Sequence, residues 1–406
     1  MLYDIGIAVY DALVHVAAVF SQKPRKMVRG HWVVYDLLRQ QKEEGARYIW
    51  FHAASLGEFE QGRPLIEKIR ARHPEYKILL TFFSPSGYEV RKHYAGADIV
   101  CYLPFDKKRN VRKFLDIIQP FMAFFIKYEF WQNYLNELHR RHIPAYSVSS
   151  IFRKEQVFFR WYGYSYRKVL RDFDHLFVQN EVSKRFLSKI GIQQVTVVGD
   201  TRFDRVLDIR NQAKQLPLVE AFKGDRLTLV AGSSWQPDED LFLDYFNTHP
   251  DMKLIIAPHV IDENHLVEII NKLKRPYVRY SKANEQNVRQ ADCLIIDCFG
   301  LLSSIYRYGE IAYVGGGFGV GIHNILEAAV YGMPVIFGPR HAKFMEAHEL
   351  LEAGGAFSIR GREDLFPLLD RLTTDAAYLR QTGSQAGSYV SSRLGASDRV
   401  LAHIDF

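Results

Sequence analysis

Two carboxylates stand where apolar, strand-like runs give way to helical patterns. Glu58 follows the run 48–52 after the short turn AASLG, and Glu129 follows the run 121–126. In open α/β sheets ligands bind at this edge, and a carboxylate there could act as a general base that removes a proton from a hydroxyl nucleophile. The residues alone slightly favour a simpler role, in which each acid stabilises a helix amino terminus by about 0.3–1 kcal/mol.

Arg202 lies at a third junction of this kind. It follows the predicted strand 195–199 within the sequence VVGDTRFD. A guanidinium group at this edge could bind a phosphate or stabilise developing negative charge. A plain ion pair with a neighbouring aspartate would explain the same sequence.

The second half of the chain carries a glycine-rich stretch, AYVGGGFGVGIHNILEAAVYGMPVIFGP, in which a predicted strand runs into a helix. A glycine turn before a helix leaves backbone N–H groups for an anion, so Gly316 and Gly317 are candidates for phosphate binding. No Gly-Lys-Ser/Thr follows, which excludes a P-loop, and a dinucleotide fingerprint would favour the first strand of a domain. Asn324 and Glu327 could cap the helix, and Glu327 could also bind a ribose.

Two further junctions in the second half could line a nucleotide pocket, although each is a weak indication by itself. Their residues are Pro258 and His259 in IIAPHV, and Phe299, Gly300 and Leu301 in IIDCFGLL. The sequence PDED at 237–240 contains a D-x-D and opens a predicted helix, where capping explains it more simply than metal binding does. Neither H-E-x-x-H nor G-x-S-x-G is present.

Alternating strands and helices must position these residues. The pattern runs twice, on either side of residues 207–224, where Pro217, Gly224 and a loss of strand periodicity indicate a linker. We predict an α/β fold with two Rossmann-like domains facing a central cleft. The predicted parts are an amino-terminal segment 1–29, a first domain 30–206, the linker 207–224, and a second domain 225–406 whose last helices could pack back on the first. The predicted strands are 48–52, 78–83, 98–103, 121–126, 144–149, 175–179 and 195–199, then 227–232, 253–257, 293–297, 311–314, 334–337 and 356–359.

The bulk composition limits the class of partner. The 406 residues are 48% hydrophobic, which suits two packed domains. A net charge of +7 without a nucleic-acid-binding motif favours a phosphorylated substrate or an anionic membrane surface, and no nucleic acid. The three cysteines lack C-x-x-C spacing, which argues against a disulfide framework or a zinc site and fits a reducing cytosol.

The amino-terminal segment is apolar and is followed by basic residues. Residues 2–21 are nearly all apolar apart from Asp4, Asp11 and His15, which fall on one narrow helical stripe, and QKPRKMVRG follows. A cleaved signal would have its charges before the apolar core. We expect a membrane-associated helix, for which an interfacial position is somewhat favoured over a spanning one, and a buried helix of the first domain is the alternative.

Seven motifs, most of which contain the residues described above, occur in a fixed order between about residues 48 and 360: HAASLGEFE, LPFD, KYEFWQN, GDTRFD, APH, HNILEAA and PVIFGP. Together they resemble the transferases of 3-deoxy-D-manno-octulosonic acid (Kdo) in lipopolysaccharide synthesis. The resemblance implies a GT-B fold and inverting transfer of Kdo from CMP-Kdo to a lipid A precursor, lipid IVA. It also implies a location at the cytoplasmic face of the cell inner membrane.

The same resemblance implies roles for the candidate residues. Glu58 would be the general base, and Glu129 and Arg202 would stabilise the transition state. The residues implied to hold CMP are Pro258, His259, Phe299, Gly300, Leu301, Gly316, Gly317, Asn324, Ile325, Leu326 and Glu327. No cofactor and no catalytic metal are expected. Two alternatives remain open: another GT-B enzyme that uses a UDP-sugar, as a transferase or an epimerase, and a peripheral membrane protein that binds nucleotides without catalysis.

Overall fold

The computed structural model describes residues 2–406; residue 1 of the predicted segment 1–29 lies outside them. The α-helices are α1 Leu2–Phe20, α2 Gln22–Gln41, α3 Leu56–Arg72, α4 Pro85–Arg91, α5 Lys108–Ile118, α6 Gln132–Arg140, α7 Tyr164–Arg171, α8 Glu181–Lys189, α9 Thr201–Asn211, α10 Pro217–Lys223, α11 Gln236–Thr248, α12 Glu263–Lys272, α13 Glu285–Gln290, α14 Leu302–Ile305, α15 Leu326–Ala329, α16 Met345–Glu352, α17 Arg362–Thr374, α18 Ala376–Ser391 and α19 Ala396–Leu401.

The strands are β1 Tyr48–Ala53, β2 Lys77–Phe82, β3 Ile99–Tyr102, β4 Met122–Ile126, β5 Ala145–Ser150, β6 His175–Val178, β7 Val195–Val197, β8 Thr228–Ser234, β9 Lys253–Pro258, β10 Tyr277–Arg279, β11 Cys293–Ile295, β12 Ile311–Val314, β13 Val335–Phe337 and β14 Ala356–Ser358. Each strand predicted from the sequence is present. Strand β10 was not predicted, because three residues with an exposed tyrosine do not form an apolar run.

The chain forms two compact units. One comprises the residues up to Arg205 together with Leu394–Phe406, and the other comprises Val206–Arg393. The residues that we expected to link the domains, 207–224, contain the end of α9 and all of α10 within the second unit.

Each unit is built on a parallel sheet. The strand order is β3-β2-β1-β4-β5-β6-β7 in the first and β10-β11-β9-β8-β12-β13-β14 in the second. The prediction of two parallel-sheet α/β domains is confirmed. In the first sheet the direction of strand addition reverses between β1 and β4, and in the second between β8 and β12, so each sheet has a crevice at that point.

The residues of β1 show why this sheet is covered on both faces. All six are buried. Trp50 packs against Phe114 of α5 and Tyr134 of α6, whereas the adjacent Phe51 stacks on Phe124 in the core on the opposite face. A strand buried on both faces therefore has a continuous apolar sequence, which is typical of parallel sheets.

The last residues of the chain belong to the first unit through a specific set of hydrogen bonds. The buried carboxylate of Asp204 accepts hydrogen bonds from the backbone N–H groups of Gly395, at 2.6 Å, and Ser397, at 2.7 Å. Asp398 forms ion pairs with Lys68 and Arg72 of α3, at 2.5 and 2.7 Å. Residues 394–406 thus support the helix that begins beside Glu58.

Helix α1 contacts the first unit through its polar stripe. Asn133 donates a hydrogen bond to Asp4 at 3.1 Å, Lys108 lies 3.4 Å from Asp4, and Lys107 pairs with Asp11. The opposite face is apolar and exposed, and consists of Ile5, Val9, Leu13, Val16, Val19 and Phe20. Within residues 2–406, Tyr3–Phe20 is the one helical stretch long and apolar enough to cross a membrane, with a mean hydropathy of 1.5.

We expect Gly30→Ala to destabilise the first unit. A Cβ at Gly30 in α2 would lie 2.1 Å from the Tyr102 ring of β3, so helix and strand would have to separate. Overpacking of this kind costs about 1–3 kcal/mol, measured by denaturant unfolding. Gly6→Ala in α1 is the matched control, because nothing lies within 4 Å of that position. Equal stability of the two variants would contradict the packing of α2 on β3.

Candidate active site

Glu58 lies at the start of α3, beside the crevice between β1 and β4. Its Oε2 accepts hydrogen bonds from the backbone N–H groups of Ala54, at 2.6 Å, and Ser55, at 3.3 Å, and Ser55 is the N-cap residue. The capping role considered from the sequence is therefore present. Both bonds use Oε2, which leaves Oε1 without a hydrogen-bond partner among residues 2–406.

Glu129 reaches the same crevice from the loop after β4 and is fixed in place. Trp131 Nε1 donates a hydrogen bond to Glu129 Oε2 at 2.6 Å, and the buried His52 of β1 has its Nε2 3.0 Å from the same oxygen. The other ring nitrogen of His52 lies 2.9 Å from Thr81 Oγ1. Glu129 is buried and held by these groups, which suits an electrostatic role better than proton transfer.

The two carboxylates interact electrically. Burial, and after it the charge of Glu129, raise the pKa of Glu58 from its ordinary value of 4.5, while His52 and the Ala54 N–H oppose the increase; the resulting pKa is about 7. Because the folded protein holds this proton more tightly than the unfolded chain, the contribution of Glu58 to stability decreases as the pH rises from 4.5 to 7. Glu58 thus has the pKa that a general base needs near neutral pH.

Arg202 is paired with Asp200, as the simpler interpretation of the sequence allowed. Its Nε donates to Asp200 Oδ2 at 2.8 Å, and its backbone N–H donates to Oδ1 at 2.9 Å. Tyr128, in the loop that carries Glu129, lies within electrostatic reach of Arg202 and Glu58. The structure thus brings Glu58, Glu129 and Arg202 to one edge of the first sheet.

Two residues with left-handed backbone conformations shape this edge and were not identified from the sequence. Lys127 has φ +67°, and Ser149, at a register shift in β5, has φ +62°. Gln179 donates hydrogen bonds to the carbonyl and hydroxyl oxygens of Ser149, at 3.0 and 3.1 Å. In residues other than glycine, such backbone conformations cost about 1–3 kcal/mol of conformational free energy, and they concentrate at functional sites. The small polar sequence SVSS at the end of β5 was the available signal.

In the second unit, a buried aspartate holds the glycine-rich loop. Asp238 accepts hydrogen bonds at 3.0 Å from the backbone N–H groups of Gly316 and Trp235 and from the hydroxyl group of Tyr313. Burial is the main cause that raises the pKa of Asp238. This aspartate belongs to the D-x-D sequence, so its carboxylate serves capping and loop attachment, as the sequence favoured.

The glycines of this loop are required by its path. Gly316 has φ +92°, and a Cβ at Gly317 would lie 2.6 Å from the backbone of Gly338. The loop therefore passes close to the end of β13, and Gly316 and Gly317 are buried there.

A stack of three rings lies at the ends of β8, β9 and β12. The ring centroids of Trp235 and His259 are 4.7 Å apart, and those of His259 and His323 are 4.4 Å apart. Trp235 Nε1 donates to His323 Nε2 at 3.1 Å, so that nitrogen carries no proton; burial and His259 lower the pKa of His323. His259 was predicted for the nucleotide site, whereas Trp235 and His323 were not.

The remaining candidates form two surface turns. Asn324 accepts a hydrogen bond from the Leu326 N–H at 3.2 Å and donates one to Glu327 at 3.0 Å, so it holds the turn that leads into the short helix α15, whose N-cap residue is Ile325. Ile325 and Leu326 are buried and support this turn. At the end of β11, the Phe299 side chain is 79% exposed and Gly300 has φ +84°.

In the part of the chain that the structure describes, no cluster of three His, Cys, Asp or Glu residues could hold a metal ion.

We expect Glu58 to titrate near pH 7 in carbon-13 NMR of its side chain, and at lower pH in Glu129→Gln, because that variant removes the neighbouring negative charge. Glu60→Gln is the matched control on the same helix, since Glu60 is paired with Arg91 and Arg205, at 2.6 and 2.9 Å. An identical Glu58 titration in both variants would contradict the coupling.

Several known proteins are similar to this chain in sequence. The family whose model matches residues 29–205 is described as "3-Deoxy-D-manno-octulosonic-acid transferase (kdotransferase)". A 3-deoxy-D-manno-octulosonic acid transferase from Aquifex aeolicus is 28% identical over 80% of this chain and 85% of its own length. A bifunctional glycosyltransferase/methyltransferase from Fusobacterium nucleatum is 26% identical over 81% of this chain, which spans about half, 53%, of that protein.

The fold is also found in solved structures. A UDP-GlcNAc 2-epimerase from Neisseria meningitidis, with UDP-GlcNAc bound, matches 87% of this chain and 98% of its own with a TM-score of 0.62. At 16% identity this likeness shows the fold alone, and it confirms the expected GT-B type. The chain is thus similar to the Kdo transferases, over residues 29–205 in the family model and over 80% of its length in the relative from Aquifex aeolicus.

Proposed function

We propose that this protein transfers Kdo from CMP-Kdo to a lipid A precursor, lipid IVA, with inversion at the anomeric carbon. The observation that carries this proposal is Glu58, whose Oε1 is free and whose pKa is raised to about 7 at the crevice of the first sheet. The similarity to Kdo transferases supports Kdo as the sugar that is transferred. The acceptor and the role of Glu58 are our inferences.

Glu58 acts as the general base in this proposal. The acceptor hydroxyl oxygen forms a bond to the anomeric carbon of Kdo while its proton moves to Glu58 Oε1. The bond from that carbon to the phosphate oxygen breaks, and CMP leaves with the electron pair. The charge of Glu129 helps to raise the pKa of Glu58, which makes the carboxylate a stronger base. Proton transfer to a positioned base typically contributes about 10²–10⁴-fold to the rate.

Arg202 supplies positive charge at the same edge. Its pairing with Asp200 fixes the guanidinium group, and the charge of the partly exposed side chain attracts a carboxylate such as that of Kdo. With Glu129, it stabilises the charges that develop as the glycosidic bond forms.

The second unit holds the nucleotide in this proposal. The exposed ring of Phe299 offers a stacking surface for cytosine, and Gly300 and Leu301 form the turn beneath it. Gly316 and Gly317 are buried and set the path of the loop that borders the phosphate in this proposal, and Pro258 with His259 borders the ring stack. The carboxylate of Glu327 suits the ribose hydroxyl groups, and Asn324, Ile325 and Leu326 position it.

Helix α1 attaches the protein to the cytoplasmic face of the cell inner membrane in this proposal. Its acidic residues pair with other residues of the first unit, and its apolar face is exposed on the surface of that unit. A helix held along the protein surface in this way is not free to cross a bilayer. This supports the interfacial orientation. The absence of a metal requirement stays a prediction.

We expect CMP, and not UDP, to raise the melting temperature of the purified protein, because the pocket is proposed to select the CMP of the donor. Incubation with CMP-Kdo and lipid IVA should give a Kdo-modified lipid, detected by mass spectrometry. Stabilisation by UDP would instead favour a UDP-sugar enzyme. CMP binding without any modified lipid would favour a non-catalytic nucleotide-binding protein.

We expect Glu58→Gln to keep its fold and its CMP affinity but to lower turnover by about 10²–10⁴-fold, because the amide cannot accept the hydroxyl proton. In the unaltered protein, kcat/KM should rise with pH to a plateau, with its midpoint near 7. That midpoint should be absent from the residual activity of the variant.

Ser55→Ala is the matched control, because it removes the N-cap hydroxyl group and retains the Glu58 carboxylate. Loss of an N-cap costs about 0.5–2 kcal/mol, so this variant should melt earlier and keep near-normal turnover. If Glu58 acted only as a cap, Glu58→Gln would likewise lose stability and keep its turnover.

A further inference from the structure

Residues 157–166, here called the aromatic segment, expose large rings that neither the sequence analysis nor the proposed site uses. Its sequence is VFFRWYGYSY. Trp161 is 91% exposed, and Tyr162, Tyr164 and Tyr166 are exposed as well. A concentration of exposed aromatic rings indicates a binding surface.

The fold imposes this exposure. Phe158 points inward and contacts Phe130, with ring centroids 5.2 Å apart. A Cβ at Gly163 would lie 1.7 Å from the carbonyl oxygen of Val157, so the turn between them accepts only glycine. Arg167 Nε donates to the carbonyl oxygen of Phe158 at 2.8 Å. The turn is therefore tight, and Trp161 at its tip faces outward.

Positive charge surrounds these rings. Arg153, Lys154, Arg160 and Lys168 are all exposed, while Glu155 is the one acidic residue in 153–168. Tryptophan and tyrosine with lysine and arginine are the side chains that favour the interface of an anionic bilayer.

The aromatic segment lies beside both α1 and the site of the first unit. Phe130, on which it packs, lies in the loop that continues into Gln132 and Asn133. The backbone N–H of Gln132 donates to Tyr3 of α1 at 3.3 Å, and Asn133 donates to Asp4 of α1. Arg153 lies within electrostatic reach of Tyr128, next to Glu129.

We propose that the aromatic segment is a second membrane contact, which inserts Trp161 and its neighbouring tyrosines into the headgroup region of an anionic bilayer. This inference rests on the proposed membrane attachment through α1. Two separate contacts bind far more stably than one and fix the orientation of the protein. The edge that carries Glu58 and Glu129 then lies close to the lipid surface, where a lipid-linked acceptor is presented.

Sedimentation of the full chain with vesicles tests this proposal. With phosphatidylglycerol and phosphatidylethanolamine vesicles, we expect Trp161→Ala combined with Tyr162→Ala to weaken binding by about tenfold. Lys154→Gln combined with Lys168→Gln should weaken it by about fivefold per charge, and phosphatidylcholine vesicles should abolish that difference. Tyr277→Ala, at an exposed tyrosine of β10, is the control and should bind normally.

Leu13→Asp on α1 separates the two contacts. If the unaltered protein does not bind vesicles, both the attachment through α1 and the second contact are wrong. If it binds and Leu13→Asp weakens binding while the aromatic variants do not, the second contact alone is wrong. That result would also leave a protein partner as the ligand of the aromatic segment.

A spectroscopic measurement locates Trp161 directly. Lipids with brominated acyl chains should quench part of the tryptophan fluorescence on vesicle binding, and Trp161→Phe should lose that part while retaining any contribution from the exposed Trp32. Equal quenching in the two proteins would overturn the proposal. Matching melting temperatures show that the variants are folded.

Discussion

The pairing of β1 with β4 brings two carboxylates, Glu58 and Glu129, to one end of a parallel sheet. The proposed chemistry depends on the different hydrogen-bond partners and surroundings of the two groups. Glu129 is fixed by Trp131 and His52, whereas Glu58 is held through one oxygen only. Burial and the neighbouring charge then raise the pKa of Glu58 to about 7. Two nearby carboxyl groups with different surroundings can take different roles, one moving a proton and the other shaping the field.

The second unit uses a carboxylate at the equivalent crevice for a different purpose. Asp238 receives three hydrogen bonds, from two backbone N–H groups and Tyr313, so it attaches the glycine-rich loop after β12 to the residue that follows β8. No oxygen of this group is left to accept a substrate proton in the way that Glu58 Oε1 is. The comparison shows that position at a strand end does not assign a role; the number of donors already bound does.

The sequence predicted the strands and the two-domain order well, because fully buried parallel strands leave long apolar runs between helical patterns. It located Glu58, Glu129 and Arg202 at strand ends for the same reason. It could not predict the hydrogen bond between His52 and Glu129, which are 77 positions apart, or that between Gly395 and Asp204, which are 191 positions apart. Such contacts depend on how the chain folds in three dimensions. The left-handed Ser149 was missed because serine carries no signal comparable to that of glycine.

Capping and catalysis are not alternatives at Glu58, because the capping bonds help to set its chemistry. The N–H groups of Ala54 and Ser55 orient the carboxylate through Oε2 and favour its charged form. Without them, burial and Glu129 would raise the pKa of Glu58 still further, and the group would be protonated at neutral pH. Without Glu129, the carboxylate would be a weaker base. The N–H groups at the amino terminus of α3 therefore lower the pKa of Glu58, and the negative charge of Glu129 raises it. Between these effects Glu58 Oε1 is a base suited to neutral pH.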